Sequence, residues 1–413
     1  MSINAILRAA ILSSTALCLS LWTVASVHAQ DVGGSIGGGA GIFRAKNPET
    51  KKSGPKPSTG TKPPSRTAGP TRARASNAER IEELLDKGNE ARDGRKFTDA
   101  ESAYKEILKL SPRDARAAYG LGNVYSDQQR WDDAEAAYRN SVAWAPKDGD
   151  AHVALSVVLV QPSLSGDNAK RLADAETFAR RSVQIDPKNA VGWDRLGVAL
   201  QARGLLNSET EHSYRRAIEL DPQFAVAYAH LARMLNRTGK PAEAAPLYEK
   251  ATELAKDPAT LNLIAESLQG EQLWPQSEPV LKRALELDPN NLTSLLLMGR
   301  LLIVNRRYQE AEPYLKSATE VASRAFQPFN LLGRAYLGMD RFSEAEATYE
   351  RASTFAASGE KKQLAGMFGF EGLGDGYLKA NQKDKAVRAY QRALELDPNN
   401  NGAAQKLARA RAN

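Results

Sequence analysis

A small residue returns along this chain at a nearly constant interval: Ala100, Ala134, Ala175, Thr210, Ala244, Ser277, Ala311, Ala345 and Ala386. The steps are 34, 41, 35, 34, 33, 34, 34 and 41 residues. A period near 34 marks an array of helix hairpins, in which each unit completes its hydrophobic face against its neighbours. The core of such an array grows linearly, so 413 residues need not be divided among two or three globular domains. Arrays of this kind hold other molecules along an extended surface.

The formal charge of +7 suggests a polyanion partner until its distribution is read. Residues 1–76 carry ten Lys/Arg against two Asp/Glu, whereas the rest of the chain carries 46 basic and 47 acidic residues. The repeat body therefore lacks the footprint of a nucleic-acid-binding domain, and no nucleic acid is expected as partner. Cys18 is the one cysteine. If the segment around it is removed, no disulfide, thiolate metal site or cysteine nucleophile can form.

Arg8 precedes an apolar run from Ala9 to Val27, and Val27-His28-Ala29 places short residues before Gln30. This reads as a secretory signal over residues 1–29, cleaved after Ala29, with an uncleaved anchor over 9–27 as the alternative. The protein is then exported, to the periplasm or the envelope. Residues 30–76 read as a disordered basic linker. Gly33-Gly34-Ser35-Ile36-Gly37-Gly38-Gly39 is followed by Pro48, Pro55, Pro57, Pro63, Pro64 and Pro70 among lysines and arginines. Such a segment has too little apolar surface to offset ordering. Its charge suits a solvated spacer or weak contact with a membrane or envelope polymer.

From residue 81 each period contains two amphipathic helical patterns. In one unit they run Ala118, Leu121, Gly122, Tyr125, then Ala134, Tyr138 and Pro146; in another Trp193, Leu196, Gly197, Leu200, then Tyr214, Ala217 and Pro222. Large apolar residues three and four apart share a helix face, and proline ends the second helix. These residues resemble the tetratricopeptide repeat (TPR) family. The resemblance implies an all-α, right-handed superhelical solenoid of nine hairpins over residues 81–400, starting near 81, 115, 149, 190, 225, 258, 292, 326 and 367. A capping helix over 401–413 should close it. Small residues such as Gly122 and Gly333 are expected to admit the facing helix, and Tyr104, Tyr138 and their equivalents to fill the space between hairpins. Two insertions of seven residues stand out. One lies near 161–168 in a turn. The other lies near 353–363, where it is expected to lengthen helices.

The resemblance also implies that first helices line a concave groove and that their solvent-facing positions carry the specificity. Those positions include Asn89, Tyr119, Asn123, Val153, Val157, Arg233, Asn262, Arg300, Asn330 and Arg334. The early part offers Asn, Tyr and Val. The later part offers Arg and Asn, with arginines able to grip carboxylates through paired forks. An extended or helical peptide with apolar anchors and acidic residues would suit both. Asn89 and Asn123 match the two asparagines of a chaperone-type carboxylate clamp, but Leu85, Asp150 and Ala154 stand where that clamp departs. The groove has Tyr119 and Phe368 but no aromatic row of the kind that stacks sugars.

No constellation points to catalysis. Of the four histidines, His28 leaves with the signal, and His152, His212 and His230 sit in separate repeats without metal-ligand spacing and read as helix-surface residues. The run from Gly369 to Gly374 reads as close packing inside a helix. No metal and no cofactor are expected. The sequence therefore points to a non-enzymatic scaffold or adaptor of the cell envelope that binds protein or peptide segments. A polysaccharide- or peptidoglycan-binding protein, or the regulatory subunit of a separate enzyme, are the alternatives. Exported TPR proteins support pilus, secretion and polysaccharide-export machines, which is the setting the resemblance implies.

Overall fold

The computed structural model describes residues 46–50, 70–161 and 167–412, with residues 70–76 as backbone. The signal-like segment 1–29, most of the basic stretch after it and the core of the 161–168 insertion lie outside the described residues. Every regular element among the described residues is a helix. None is long and apolar enough to cross a membrane.

The chain falls into two compact units, Met1–Leu254 and Ala255–Asn413. The first contains five hairpins: α1 (Pro70–Asp93) with α2 (Phe97–Leu110), α3 (Ala115–Asp127) with α4 (Trp131–Trp144), α5 (Gly149–Leu159) with α6 (Asn168–Ile185), α7 (Ala190–Ala202) with α8 (Ser208–Leu220), and α9 (Ala225–Arg237) with α10 (Pro241–Leu254). The second contains α11 (Pro258–Gly270) with α12 (Trp274–Leu287), α13 (Leu292–Val304) with α14 (Tyr308–Val321), and α15 (Phe326–Gly338) with α16 (Phe342–Ser353). There follow a short helix α17 (Ser358–Ala365), the hairpin of α18 (Phe370–Lys379) and α19 (Lys383–Leu396), and the closing helix α20 (Asn401–Ala412).

Two boundaries differ from the sequence reading. Helix α1 begins at Pro70, inside the stretch assigned to the linker. Proline suits a first helical turn, where its missing N–H would have had no partner. The 353–363 insertion does not lengthen its neighbours. It forms α17 as a separate helix, its N-terminus closed by Glu360, whose carboxylate accepts from the Ala357 N–H at 2.8 Å.

Local chemistry explains the rest. Pro112, Pro146, Pro187, Pro289 and Pro398 are each followed two residues later by Asp or Asn. Those residues cap the next helix. Asp114, Asp148, Asn189, Asn291 and Asn400 each accept from a backbone N–H of its first turn. The cap satisfies a donor that the helix itself leaves unpaired. Turns within hairpins need one left-handed residue. Gly204 and Gly239 supply it without a steric cost, and Gln129, Arg306 and Asp340 adopt it elsewhere.

The glycines of the first helices have a more specific role than helix approach. A Cβ at Gly122 would sit 2.5 Å from the Tyr138 ring, and one at Gly197 2.5 Å from the Tyr214 ring. Tyr104, Tyr138, Tyr214, Tyr349 and Tyr390 thus each lie in the space vacated by a glycine of their own hairpin, and Leu315 does the same opposite Gly299. Tyr104 also reaches Gly120 of the next unit, so the ring fills both gaps. Tyr104, Tyr138, Tyr214, Tyr349 and Tyr390 are all fully buried.

Ion pairs also recur between successive hairpins. Arg130, Lys240, Arg307 and Arg341, each at a hairpin turn, pair with Glu101, Glu211, Glu278 and Glu312 of the preceding hairpin. These partly exposed pairs link neighbouring hairpins, and each adds little stability.

Candidate functional site

In the first unit a short stretch of the chain lies against the first two hairpins. Asn123 Nδ2 donates to the Lys46 carbonyl at 2.9 Å, and Asn89 Nδ2 to the Pro48 carbonyl at 3.0 Å. Arg116 reaches the Glu49 carbonyl at 3.3 Å. Pro48 is buried. Asn47 is held on both atoms of its amide: Arg92 donates to Oδ1 at 3.0 Å, and Nδ2 donates to Asp93 at 2.9 Å. Composition alone assigns these five residues to a disordered linker. Their anchoring runs mostly through main-chain carbonyls, which composition cannot report.

The two asparagines are pre-aimed. Tyr104 donates its hydroxyl to Asn89 Oδ1 at 2.7 Å, and Tyr138 donates to Asn123 Oδ1 at 2.8 Å. With Oδ1 taken by the tyrosine, Nδ2 is left to face the incoming carbonyl. Both pairs are separated by 15 residues. The same separation joins Tyr390 to Asp375, at 2.7 Å. This spacing is present in the sequence and is the signal that could have revealed the pairs. Arg92 supports the same surface from below. It is 1% exposed and grips Asp127 with Nε and Nη2 at 2.8 and 3.1 Å.

The other sequence-predicted positions of this unit are not open. Tyr119 is buried and packs its ring 5.7 Å from that of Tyr138. Val153 and Val157 lie on α5, where every residue from 151 to 161 is buried. Contacts from α4, α6 and α7 surround that helix, so an apolar side chain there has no solvent face. Arg233 is 6% exposed. Asp194, Arg195 and His230 are buried as well and form a polar cluster of their own. Asp194 lies 2.8 Å from both His230 Nδ1 and Arg195 Nη2. Burial pushes the Asp194 carboxyl up, but the charges and hydrogen bonds of His230 and Arg195 outweigh it and hold the carboxyl below its usual value. Two histidines read as surface residues are thus buried: His230, and His152, whose Nδ1 lies 2.7 Å from the Asp148 carbonyl.

In the second unit Asn262 is 5% exposed and is built into the α11–α13 junction. It donates to Asn291 Oδ1 at 3.0 Å and accepts from Ser294 at 2.7 Å. Arg300 is exposed, but Nε and Nη2 both donate to Gln269 Oε1, at 3.0 and 2.7 Å. Asn262 is therefore a structural linker, and much of the Arg300 fork is already engaged.

Asn330 and Arg334 behave differently. They line a pocket of roughly 220 Å³ whose other wall is the end of α17 and the turn after it, with Lys362, Gln363, Met367 and Phe368. Asn330 is 1% exposed, and its Nδ2 has no hydrogen-bond partner; nor does Arg334 Nε. Burial draws the Arg334 guanidinium below its ordinary pKa, against the pull of Tyr349 and Tyr308. The guanidinium carbon sits 4.8 Å from the centroid of the Phe368 ring. Tyr349, 15 residues after Arg334, cannot donate to a guanidinium and instead donates to the Phe368 carbonyl at 2.9 Å. That bond fixes the turn over the pocket. Gly369 and Gly372 make the turn possible, because a Cβ on either would run into the carbonyl of Leu364 or Met367. Only Gly374 of this run shows the expected helix packing, against Tyr390, and α18 starts at Phe370 rather than near 367.

The hairpins, their buried tyrosines and the peptide-like segment held across two of them define an α-helical repeat protein. Family models described as tetratricopeptide repeat match residues 85–151, 121–190 and 262–328, with further matches over 213–245, 327–358 and 368–400. The chain belongs to the tetratricopeptide repeat family. Proteins of this family generally act as non-catalytic interaction scaffolds with protein or peptide partners, and the matches indicate no catalytic family. No curated protein matches the chain.

Solved structures similar to it include TTC0263, a thermophilic TPR protein of Thermus thermophilus. It is 22% identical, with 46% of this chain and 99% of that chain covered and a TM-score of 0.39. YrrB, described as a TPR protein with an unusual peptide-binding site, is 21% identical, with 49% and 97% covered and a TM-score of 0.37. The MamA protein is 22% identical, with 43% and 92% covered and a TM-score of 0.36.

Proposed function

We propose that this chain is an exported, non-enzymatic scaffold of the cell envelope that holds extended peptide segments of partner proteins. The observation that carries the reading is the seating of Lys46–Thr50 on the first two hairpins through Asn89, Asn123 and Arg116. A surface that receives main-chain carbonyls from its own chain offers the same donors to another chain. Export rests on the signal-like residues 1–29, and the envelope setting on the resemblance to exported TPR proteins.

The intramolecular segment is a replaceable occupant. Each net hydrogen bond contributes about 1 kcal/mol. Ordering each residue costs about 1–2 kcal/mol. Five such bonds offset only the lower end of that cost for five residues, so the seating is marginal even with Pro48 buried. A partner segment that adds one or two anchored side chains would displace it.

A crosslinked pull-down from the envelope fraction tests this, comparing the native chain with Asn89→Ala/Asn123→Ala. The expected result is a mature chain starting at Gln30 and a crosslinked partner recovered at least five-fold less with the double variant. An intact N-terminus in the cytosolic fraction would refute export. Equal recovery of every partner would refute the peptide surface.

A further inference from the structure

We infer that the pocket between α15 and the α17–α18 turn is a carboxylate-binding site, taking an acidic group of a bound peptide together with an adjacent apolar side chain. The inference rests on the peptide-scaffold reading and gives the second unit a ligand chemistry of its own. Four polar side chains line the pocket, Asn330, Arg334, Lys362 and Gln363; two of them, Arg334 and Lys362, are cations, and no acidic residue is among the lining. Two donors among them, Asn330 Nδ2 and Arg334 Nε, are buried without a protein acceptor. A buried donor left unmade costs free energy, so unpaired donors on two residues that line one cavity favour a ligand group that accepts. An ionised carboxylate is such a group, and a guanidinium fork matches it with two parallel bonds.

The remaining wall sets the second half of the specificity. Phe368 and Met367 are 58% and 59% exposed, an unusual state for large apolar side chains; Phe368 lies against Arg334, and its carbonyl accepts from Tyr349. They offer an apolar surface beside the charge. At about 220 Å³ the pocket is smaller than the roughly 300–1,000 Å³ of most cofactor or drug-sized sites, so it accommodates one or two side chains. Among the described residues, no other hairpin carries an inserted helix like the one that supplies Lys362 and leads into Met367 and Phe368, so the site is particular to this point of the array.

The carboxylate can come from an aspartate or glutamate side chain or from a chain terminus. Fluorescence anisotropy on the full-length protein distinguishes them with three labelled peptides. The first has blocked ends and an internal Glu-Leu, the second carries Gln-Leu in its place, and the third is acid-free except for a C-terminal leucine carboxylate. Binding of the first or third at least ten-fold tighter than the second supports the site and names the source. The same preference should fall at least ten-fold in Lys362→Glu, an exposed position whose reversal leaves the fold alone, and in Arg334→Gln. Equal binding of all three peptides, or an undiminished preference in Lys362→Glu, overturns the inference. If partner recovery through Asn89 and Asn123 persists in that case, the pocket alone is refuted; if it also fails, so is the scaffold reading.

Discussion

Asp194→Ala is expected to remove about 3–5 kcal/mol of stability from the first unit, the usual cost of deleting one partner of a buried charge pair. Asp194 is 0% exposed, and its loss would strand His230 and Arg195, 8% and 3% exposed, away from water. Urea unfolding followed by circular dichroism measures the loss, and amide exchange should accelerate first in α7 and α9. The same carboxyl predicts an acid limit. Its pKa is held below the ordinary value in the folded chain. Its stabilisation is therefore complete above the unfolded pKa of about 3.9 and disappears as pH falls through the lower folded value. In the alanine variant that acid-dependent component should vanish. A variant that unfolds at the native urea concentration would show that the cluster contributes nothing net.

Tyr138→Ala is expected to be equally severe, at about 3–5 kcal/mol, because a fully buried aromatic ring leaves a cavity that close-packed helices cannot collapse. The ring lies in the space left by Gly122, so the cavity opens inside the hairpin rather than at its edge. Tyr138→Phe separates packing from polarity. It retains the ring but leaves Asn123 Oδ1 buried without its donor, at a cost of about 1–3 kcal/mol. It also releases the asparagine to rotate, so docking of residues 46–50 should weaken although the hairpin remains folded. Equal stability of the Ala and Phe variants would contradict the packing role assigned to the ring.

The architecture was legible because its determinants are local and periodic. The spacing from Ala100 to Ala386 reports helix contacts directly, and the Asp or Asn two residues after each of those helix-ending prolines reports the next cap. The candidate site was legible only in part. Position on a first helix did not distinguish an open side chain from one closed over by neighbours, which is why Val153, Val157, Tyr119 and Arg233 proved buried. Asn262 looked like a groove residue but links two hairpins, since its bonds run to Asn291 and Ser294. The insertion near 353–363 was visible as a length anomaly. Its consequence, a turn that carries Phe368 over Arg334, depends on the Tyr349 hydroxyl finding a backbone acceptor.

The claim that the first two hairpins receive an extended chain through pre-aimed asparagines is tested most directly by a distance measurement on the intact protein. Spin labels at Lys46→Cys and at the exposed Ser102→Cys, in a Cys18→Ser background, report whether the segment is seated. Double electron–electron resonance should give one narrow distance distribution. It should broaden when Asn89 and Asn123 are both replaced by alanine. A broad distribution in the native chain, or a narrow one that survives both substitutions, would contradict the account.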